Sequence, residues 1–236
     1  MNVLRFDCDP AWIHAISSLW RDRLRANPEL RMCLPSGTTP VEVYAEMSSS
    51  ARDGLVSFDR ASVFALDEFG GLAADDPGRT SHTLQRQLID AVDLPRSAFH
   101  VLDPDNANLI AHCADYDAAI GDGFDLVLLG IGLNGHLGMN EPGSPIDSPT
   151  RRVELHDSTV QSSARYFKHR NLPRWGLTVG LKALLGAKEV WLLAKGAAKA
   201  KIVEETLRGE IGPSNPASLL RRHPNAWLFL DKPAGA

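Results

Sequence analysis

The chain has 236 residues, 44% hydrophobic and 23% charged, which fits one globular domain over residues 1–236 and argues against disorder, collagen or fibrous repeats. Its 25 basic and 29 acidic residues give a net charge of −4 with no basic block, so general nucleic-acid binding is not indicated. The longest run without a formal charge, Leu126 to Asn140, carries four glycines and His136, and falls short of the ~20 apolar residues of a membrane span. Arg5, Asp7 and Asp9 interrupt any apolar leader, so a cytoplasmic protein without membrane contact is expected. Cys8, Cys33 and Cys113 form no CxxC pair, which points to reduced thiols and no structural metal site.

In chain order, Leu30–Leu34 reads as the first strand and Pro40–Ala51 as a helix with Val41, Tyr44 and Met47 on one face. Ser62–Leu66 is a second strand, and Thr80–Val92 a helix with Leu84, Leu88, Ile89 and Val92 at helical spacing. A weaker strand at Ala98–Leu102 precedes a helix at Ala107–Ile120. Asp125–Leu129 is a continuous apolar strand of the kind buried on both faces. After a Gly/Pro-rich stretch come helices at Asp157–Lys168 and Thr178–Leu185, a strand at Glu189–Ala194, a helix at Ala197–Arg208 and a last strand at Ala226–Leu230. This alternation implies an α/β fold: an open, mainly parallel, Rossmann-like sheet with helices on both faces.

Ligands of such sheets bind outside the carboxyl ends of the strands, where the unusual residues of this chain gather. The first strand runs into Ser36-Gly37-Thr38-Thr39-Pro40, a helix N-terminus with free amides suited to a phosphate, although an ordinary N-cap would account for it as well. The second ends in Asp67-Glu68, where one carboxylate is a candidate general base and a turn or cap is the plainer alternative. Gly130-Ile131-Gly132-Leu133-Asn134-Gly135 matches GxGxxG, but the breakers from Gly138 to Pro145 leave no room for the helix that a dinucleotide site requires. A glycine-lined loop presenting His136, with Glu141 near enough to orient it, fits better. Lys199 at a helix start opposes the dipole, which an anion there would relieve.

These residues resemble the glucosamine-6-phosphate deaminase (isomerase) family, within the superfamily that also holds the 6-phosphogluconolactonases. The resemblance runs through Leu34 to Pro40, Leu66-Asp67-Glu68-Phe69, Gly130 to Gly143, Leu177 to Gly180, and Pro216 to Leu220 before His223-Pro224. The lactonase branch typically lacks the Asn140-Glu141-Pro142 continuation and has Arg where this chain has Phe69. The resemblance implies deamination of glucosamine 6-phosphate, a small-molecule sugar phosphate, to fructose 6-phosphate and ammonia, with no metal and no organic cofactor. His136 would open the pyranose ring with Glu141 positioning it, and Asp67 would move a proton from C2 to C1. Ser36, Gly37, Thr38, Thr39, Arg165 and Lys199 would hold the phosphate, with Gly132 and Gly135 shaping the substrate loop. Asn134 stands where some members carry Asp, and can orient His136 or a hydroxyl without carrying charge. Val153 replaces a lysine of the longer allosteric members, so regulation by N-acetylglucosamine 6-phosphate is not expected. The state is a monomer or homo-oligomer. The alternatives are a galactosamine 6-phosphate deaminase or isomerase, a 6-phosphogluconolactonase, and a non-catalytic sugar-phosphate sensor.

Overall fold

A computed structural model describes residues 1–167 and 172–235. Its elements are β1 (Asn2–Phe6), α1 (Asp9–Ala26), β2 (Arg31–Leu34), α2 (Val41–Arg52), β3 (Ser62–Ala65), β4 (Asp67–Phe69), α3 (Thr80–Gln87), β5 (Phe99–His100) and α4 (Leu109–Ile120). There follow β6 (Leu126–Gly130), β7 (Arg151–Glu154), α5 (Asp157–Ser163), β8 (Trp175–Thr178), α6 (Leu181–Leu185), β9 (Glu189–Ala194), α7 (Ala200–Arg208) and β10 (Ala226–Asp231).

Seven strands form one sheet in the order β1-β10-β9-β6-β2-β3-β5, and every neighbouring pair in it is parallel. Its strands alternate between two cores with period two. Met32, Leu34, Val63, Ala65, Leu126, Leu128, Trp191 and Phe229 face α1 and α2, whose Trp12, Ile16, Trp20, Tyr44 and Met47 are fully buried. Cys33, Phe64, Val127, Leu129, Val190, Leu192 and Leu228 face the other way, toward Tyr116 and Ile120 of α4, Leu184 of α6 and Ile202 of α7. Burial on both faces explains why the central strands read as continuous apolar runs.

The α/β class and the parallel sheet agree with the sequence reading, but several elements differ from it. The sheet begins at Asn2, not Leu30: β1 is a half-exposed edge strand, and α1 follows with Trp12, Ile16, Trp20 and Leu24 at four-residue spacing. The expected helix at Thr178–Leu185 starts only at Leu181, because the residues before it form β8. The helix at Thr80–Val92 breaks at Leu88 into a 3-10 turn, Ile89–Ala91. The helix at Asp157–Lys168 ends as α5 at Ser163 and passes into a 3-10 turn, Ala164–Tyr166, while Lys168 lies outside the described residues.

A second, antiparallel sheet, β4-β8-β7, stands over the C-terminal edge of the first. It exists because the chain leaving β3 does not turn back at Asp67-Glu68 but continues extended, pairing Asp67 with Thr178 and Phe69 with Gly176. Phe69, Met139, Leu155 and Val160 form its small core, against which Phe167 packs edge-on to Phe69 at 5.0 Å. Asn140 joins this layer to the loop after β6. Fully buried, its Nδ2 donates to the carbonyls of Leu137 and Val179, each at 2.9 Å, and its Oδ1 accepts from Arg151 at 2.8 Å. Asn140→Ala takes its side-chain donor from the buried Val179 carbonyl and one of the partners of the Leu137 carbonyl and of Arg151, so we expect a loss of about 2–4 kcal/mol in urea unfolding. A loss under about 0.5 kcal/mol, the range of a surface change, would show that Asn140 does not hold the two layers together.

Candidate active site

The strand order branches beside β2: the chain first adds β3 and β5 on one side, then β6, β9 and β10 on the other. The crevice at such a reversal receives the C-terminal ends of neighbouring strands. Here β2 delivers Ser36 to Thr39, β3 delivers Asp67, β6 delivers Gly132 to His136, and β9 delivers Lys195 and Lys199. A cavity of about 350 Å³ lies among them, lined also by Thr159, Ser162, Ser163 and Tyr166. That size is in the range of small-molecule sites.

The two acids that open β4 part company. Glu68 is fully buried and saturated: it accepts from the backbone amides of Phe69 (2.9 Å), Thr80 (2.8 Å) and Ser81 (3.0 Å) and from the Ser81 hydroxyl. It therefore anchors the positive N-terminus of α3, where a carboxylate is stabilised. Asp67 points the other way, into the cavity. Burial, and then the neighbouring Glu68 charge, push its carboxyl up to about 7, where it can trade a proton at neutral pH.

Across the cavity, His136 sits on the loop after β6. Its Nδ1 is 3.2 Å from Thr159 Oγ1 and 3.5 Å from Glu141 Oε2. Glu141 also accepts from Asn134 Nδ2 at 2.7 Å and from the His156 amide at 3.3 Å. Burial works to raise the Glu141 carboxyl, but hydrogen bonds from His136, Thr159 and Asn134, with the His136 charge, hold it down at about 2. Asn134 thus reaches the ring through Glu141, and its Oδ1 accepts from the His136 amide at 3.2 Å. Gly132 must lack a side chain, since a Cβ there would lie 2.3 Å from the imidazole. Gly135 turns the loop at φ +85°, against Asn215. From Ile131 to Thr150 the loop consists of turns and a β-bridge of Leu137 with Asn140, not a helix, so the glycines serve His136 and not a pyrophosphate.

The opposite wall is Ser36 to Thr39, at the start of α2. Gln87 Nε2 donates to the Gly37 carbonyl at 3.0 Å, and Tyr44 Oη to that of Pro35 at 2.6 Å, which fixes the loop. Lys199 closes this end, with Nζ donating to the Ile131 carbonyl at 2.6 Å. Of the expected residues, Asp67, His136, Ser36, Gly37, Thr38, Thr39, Gly132 and Lys199 line the cavity together, with Asn134 and Glu141 behind the imidazole. The Arg165 side chain lies outside the described residues. Sequence reasoning missed Thr159 and Tyr166, which α5 and the turn after it bring to the cavity. Lys195, which the sequence places on the same rim without a role, is ion-paired there to Asp9 and Glu42. Among the described residues no group of three or more His, Cys, Asp or Glu side chains forms a metal-ligand set, and no helix is long and apolar enough to cross a membrane.

Residues 10–229 match the family model of glucosamine-6-phosphate isomerases and 6-phosphogluconolactonase. The chain belongs to this family. Curated glucosamine-6-phosphate deaminases of Shouchella clausii and Bacillus pumilus are each 34% identical to it, over 100% of this chain and 97% and 99% of theirs. A solved structure of a monomeric glucosamine-6-phosphate deaminase superposes with a TM-score of 0.95 at 30% identity, covering 99% of this chain and 98% of that one. The 6-phosphogluconolactonase of Thermotoga maritima, at TM-score 0.77 and 18% identity over 98% of this chain and 99% of its own, shares the fold.

The raised Asp67 carboxyl has a consequence for stability in this member of the family. Its folded value of about 7 lies above the ~4 of an unfolded Asp, so the contribution is fully present below pH ~4 and is lost as pH rises to about 7. Asp67→Asn removes the cost of the buried charge. We expect it to be more stable than wild type at pH 8, on the order of 4 kcal/mol, with the difference gone at pH 4. Paired denaturant titrations at the two pH values test this; a gain that is the same at both would mean the charge is not its source.

Proposed function

We propose that this chain is a glucosamine-6-phosphate deaminase, releasing fructose 6-phosphate and ammonia from glucosamine 6-phosphate and water. The observation that carries the reading is the pairing, across one cavity, of an acid poised near neutrality with a histidine backed by an ionised carboxylate, between a phosphate-type helix terminus and a lysine. Full-length likeness to curated deaminases supports the same reading.

In this mechanism Ser36, Gly37, Thr38, Thr39 and Lys199 hold the phosphate, joined by Arg165, and binding there fixes the sugar's carbons against the two proton-transfer groups. His136 takes the proton of the C1 hydroxyl and returns one to the ring oxygen, giving the open aldehyde. Asp67, ionised, removes the C2 proton; the electron pair of that bond becomes the C1–C2 double bond, and the C1 carbonyl pair moves onto O1, which takes up a proton, giving an enolamine. The proton held by Asp67 returns at C1, and the nitrogen lone pair forms an iminium at C2. Water adds to C2, its protons pass to nitrogen and solvent, and ammonia departs as C2 becomes the carbonyl of fructose 6-phosphate. The proton steps at carbon run through Asp67. The cavity lining comes from one chain, and the similar solved deaminase is monomeric, which supports a catalytic unit of one chain. A cytoplasmic setting belongs to the same proposal.

The test is release of ammonia and fructose 6-phosphate from glucosamine 6-phosphate, beside galactosamine 6-phosphate and 6-phosphogluconolactone. Equal release of both products from the first supports the reading, and turnover of another substrate alone would replace it. Asp67→Asn should bind an inert hexose phosphate normally while losing about a thousandfold in turnover. Because the base must be ionised, wild-type kcat/KM should fall as pH drops below about 7. A flat profile from pH 5.5 to 8.5 would remove Asp67 from that role.

A further inference from the structure

The imidazole of His136 is nearer to a hydroxyl than to the carboxylate expected to position it. Thr159 Oγ1 stands 3.2 Å from Nδ1, whereas Glu141 Oε2 is 3.5 Å away. Thr159 is buried on α5, and the His156 amide, at the cap of the same helix, donates to the other Glu141 oxygen at 3.3 Å. The helix therefore grips both members of the pair. A hydroxyl carries one proton and two lone pairs. Nδ1 thus faces two oxygens, the Thr159 hydroxyl and Glu141 Oε2, and the carboxylate among them can only accept, so Nδ1 is the ring nitrogen placed to carry a hydrogen.

We propose that Thr159 is the positioning residue of His136: Nδ1–H donates to Thr159 Oγ1, the nearer of the two oxygens it faces, and this fixes the tautomer in which Nε2 is the proton acceptor. Asn134 completes the arrangement from the far side. Its Nδ2 donates to Glu141 Oε2 at 2.7 Å, so it turns the carboxylate without competing for the ring. Thr159 does not touch the reacting carbons in this scheme. Its effect is on which ring nitrogen is free and where it points.

The inference rests on the deaminase reading for its rate effects, but the tautomer is observable without turnover. Histidine labelled with 15N in the ring, with the His136 signals identified by their loss in His136→Gln, reports which nitrogen carries the proton. In wild type at pH 8 we expect Nδ1–H, in Thr159→Val a mixture of tautomers, and in Thr159→Ser the wild-type pattern. In the assay, Thr159→Val should lose about tenfold to a hundredfold in kcat with KM changed less than about threefold, and Thr159→Ser should recover most of it. Should Val not fold, Thr159→Ala makes the same two measurements. A His136 that keeps Nδ1–H in the Val or Ala variant overturns the proposal, as does a Ser variant as slow as Val. If wild type shows no deaminase turnover, the functional reading fails, and the tautomer comparison alone decides for or against Thr159.

Discussion

The parallel pairing of β2 with β3 on one side and β6 on the other is the constraint on which the rest depends. Parallel strands all point their carboxyl ends the same way, so their outgoing loops share one rim. Because the chain adds strands first on one side of β2 and then on the other, the loops leaving β2 and β6 diverge and leave a crevice. Residues about a hundred positions apart in sequence, Ser36 and His136, thereby face one cavity. Their chemistry depends on the buried, twofold alternating core beneath, because only a rigid sheet keeps four separate strand ends in mutual register.

Within that crevice, three carboxylates show how surroundings assign roles to like groups. Glu68 meets two amides at the start of α3 and that of Phe69 beside it, and is spent on structure. Glu141 meets several donors and stays ionised, so it can stabilise a positive imidazole without taking its proton. Asp67, one residue from Glu68 on a strand, is turned by the pleat to the opposite side, where burial and the neighbouring charge destabilise its ionised form. A carboxylate that is too well satisfied is a poor base. Keeping Asp67 reactive therefore costs stability, which the apolar core beneath must offset.

The elements that the sequence revealed were those whose physics is local. Glu189–Ala194 is buried at every position and apolar from Val190 onward because it is covered on both faces, and its bounds could be read directly. Asp67, His136 and Lys199 stood out because polar residues directly after apolar strands have a common destination in this fold class. The elements it concealed take their form from distant partners. Trp175–Thr178 has no strand pattern of its own distinct from the helix after it; it is extended because β4 and β7 pair with it on either side. Likewise β4 is three residues long, too short for a periodic signal. The stripe of Trp12, Ile16, Trp20 and Leu24 was legible, but Arg21, Arg23 and Arg25 interleave with it and mask its face. Nothing local marks Thr159 either. It is one hydroxyl among Ser158, Ser162 and Ser163, and only the packing of α5 over the loop after β6 brings it, and not its neighbours, to the imidazole.

That packing also explains how a neutral Asn134 fits a site built for proton transfer. The ring of His136 needs one acceptor at Nδ1 and a rigid seat; it does not need a second negative charge. Gly132 permits the imidazole to lie flat against the backbone, and α5 supplies both the hydroxyl and an amide to the carboxylate behind it. A carboxylate at position 134 would stand within hydrogen-bond distance of Glu141, and two such charges would raise each other's proton affinity until one took up a proton. An amide avoids that conflict. It donates where a carboxylate would repel, and it leaves Glu141 as the single ionised partner of the pair. The electrostatics of the site are therefore self-consistent with Asn134 in place: one fixed negative charge behind the histidine, one titrating acid in front of it, and a lysine at the far end.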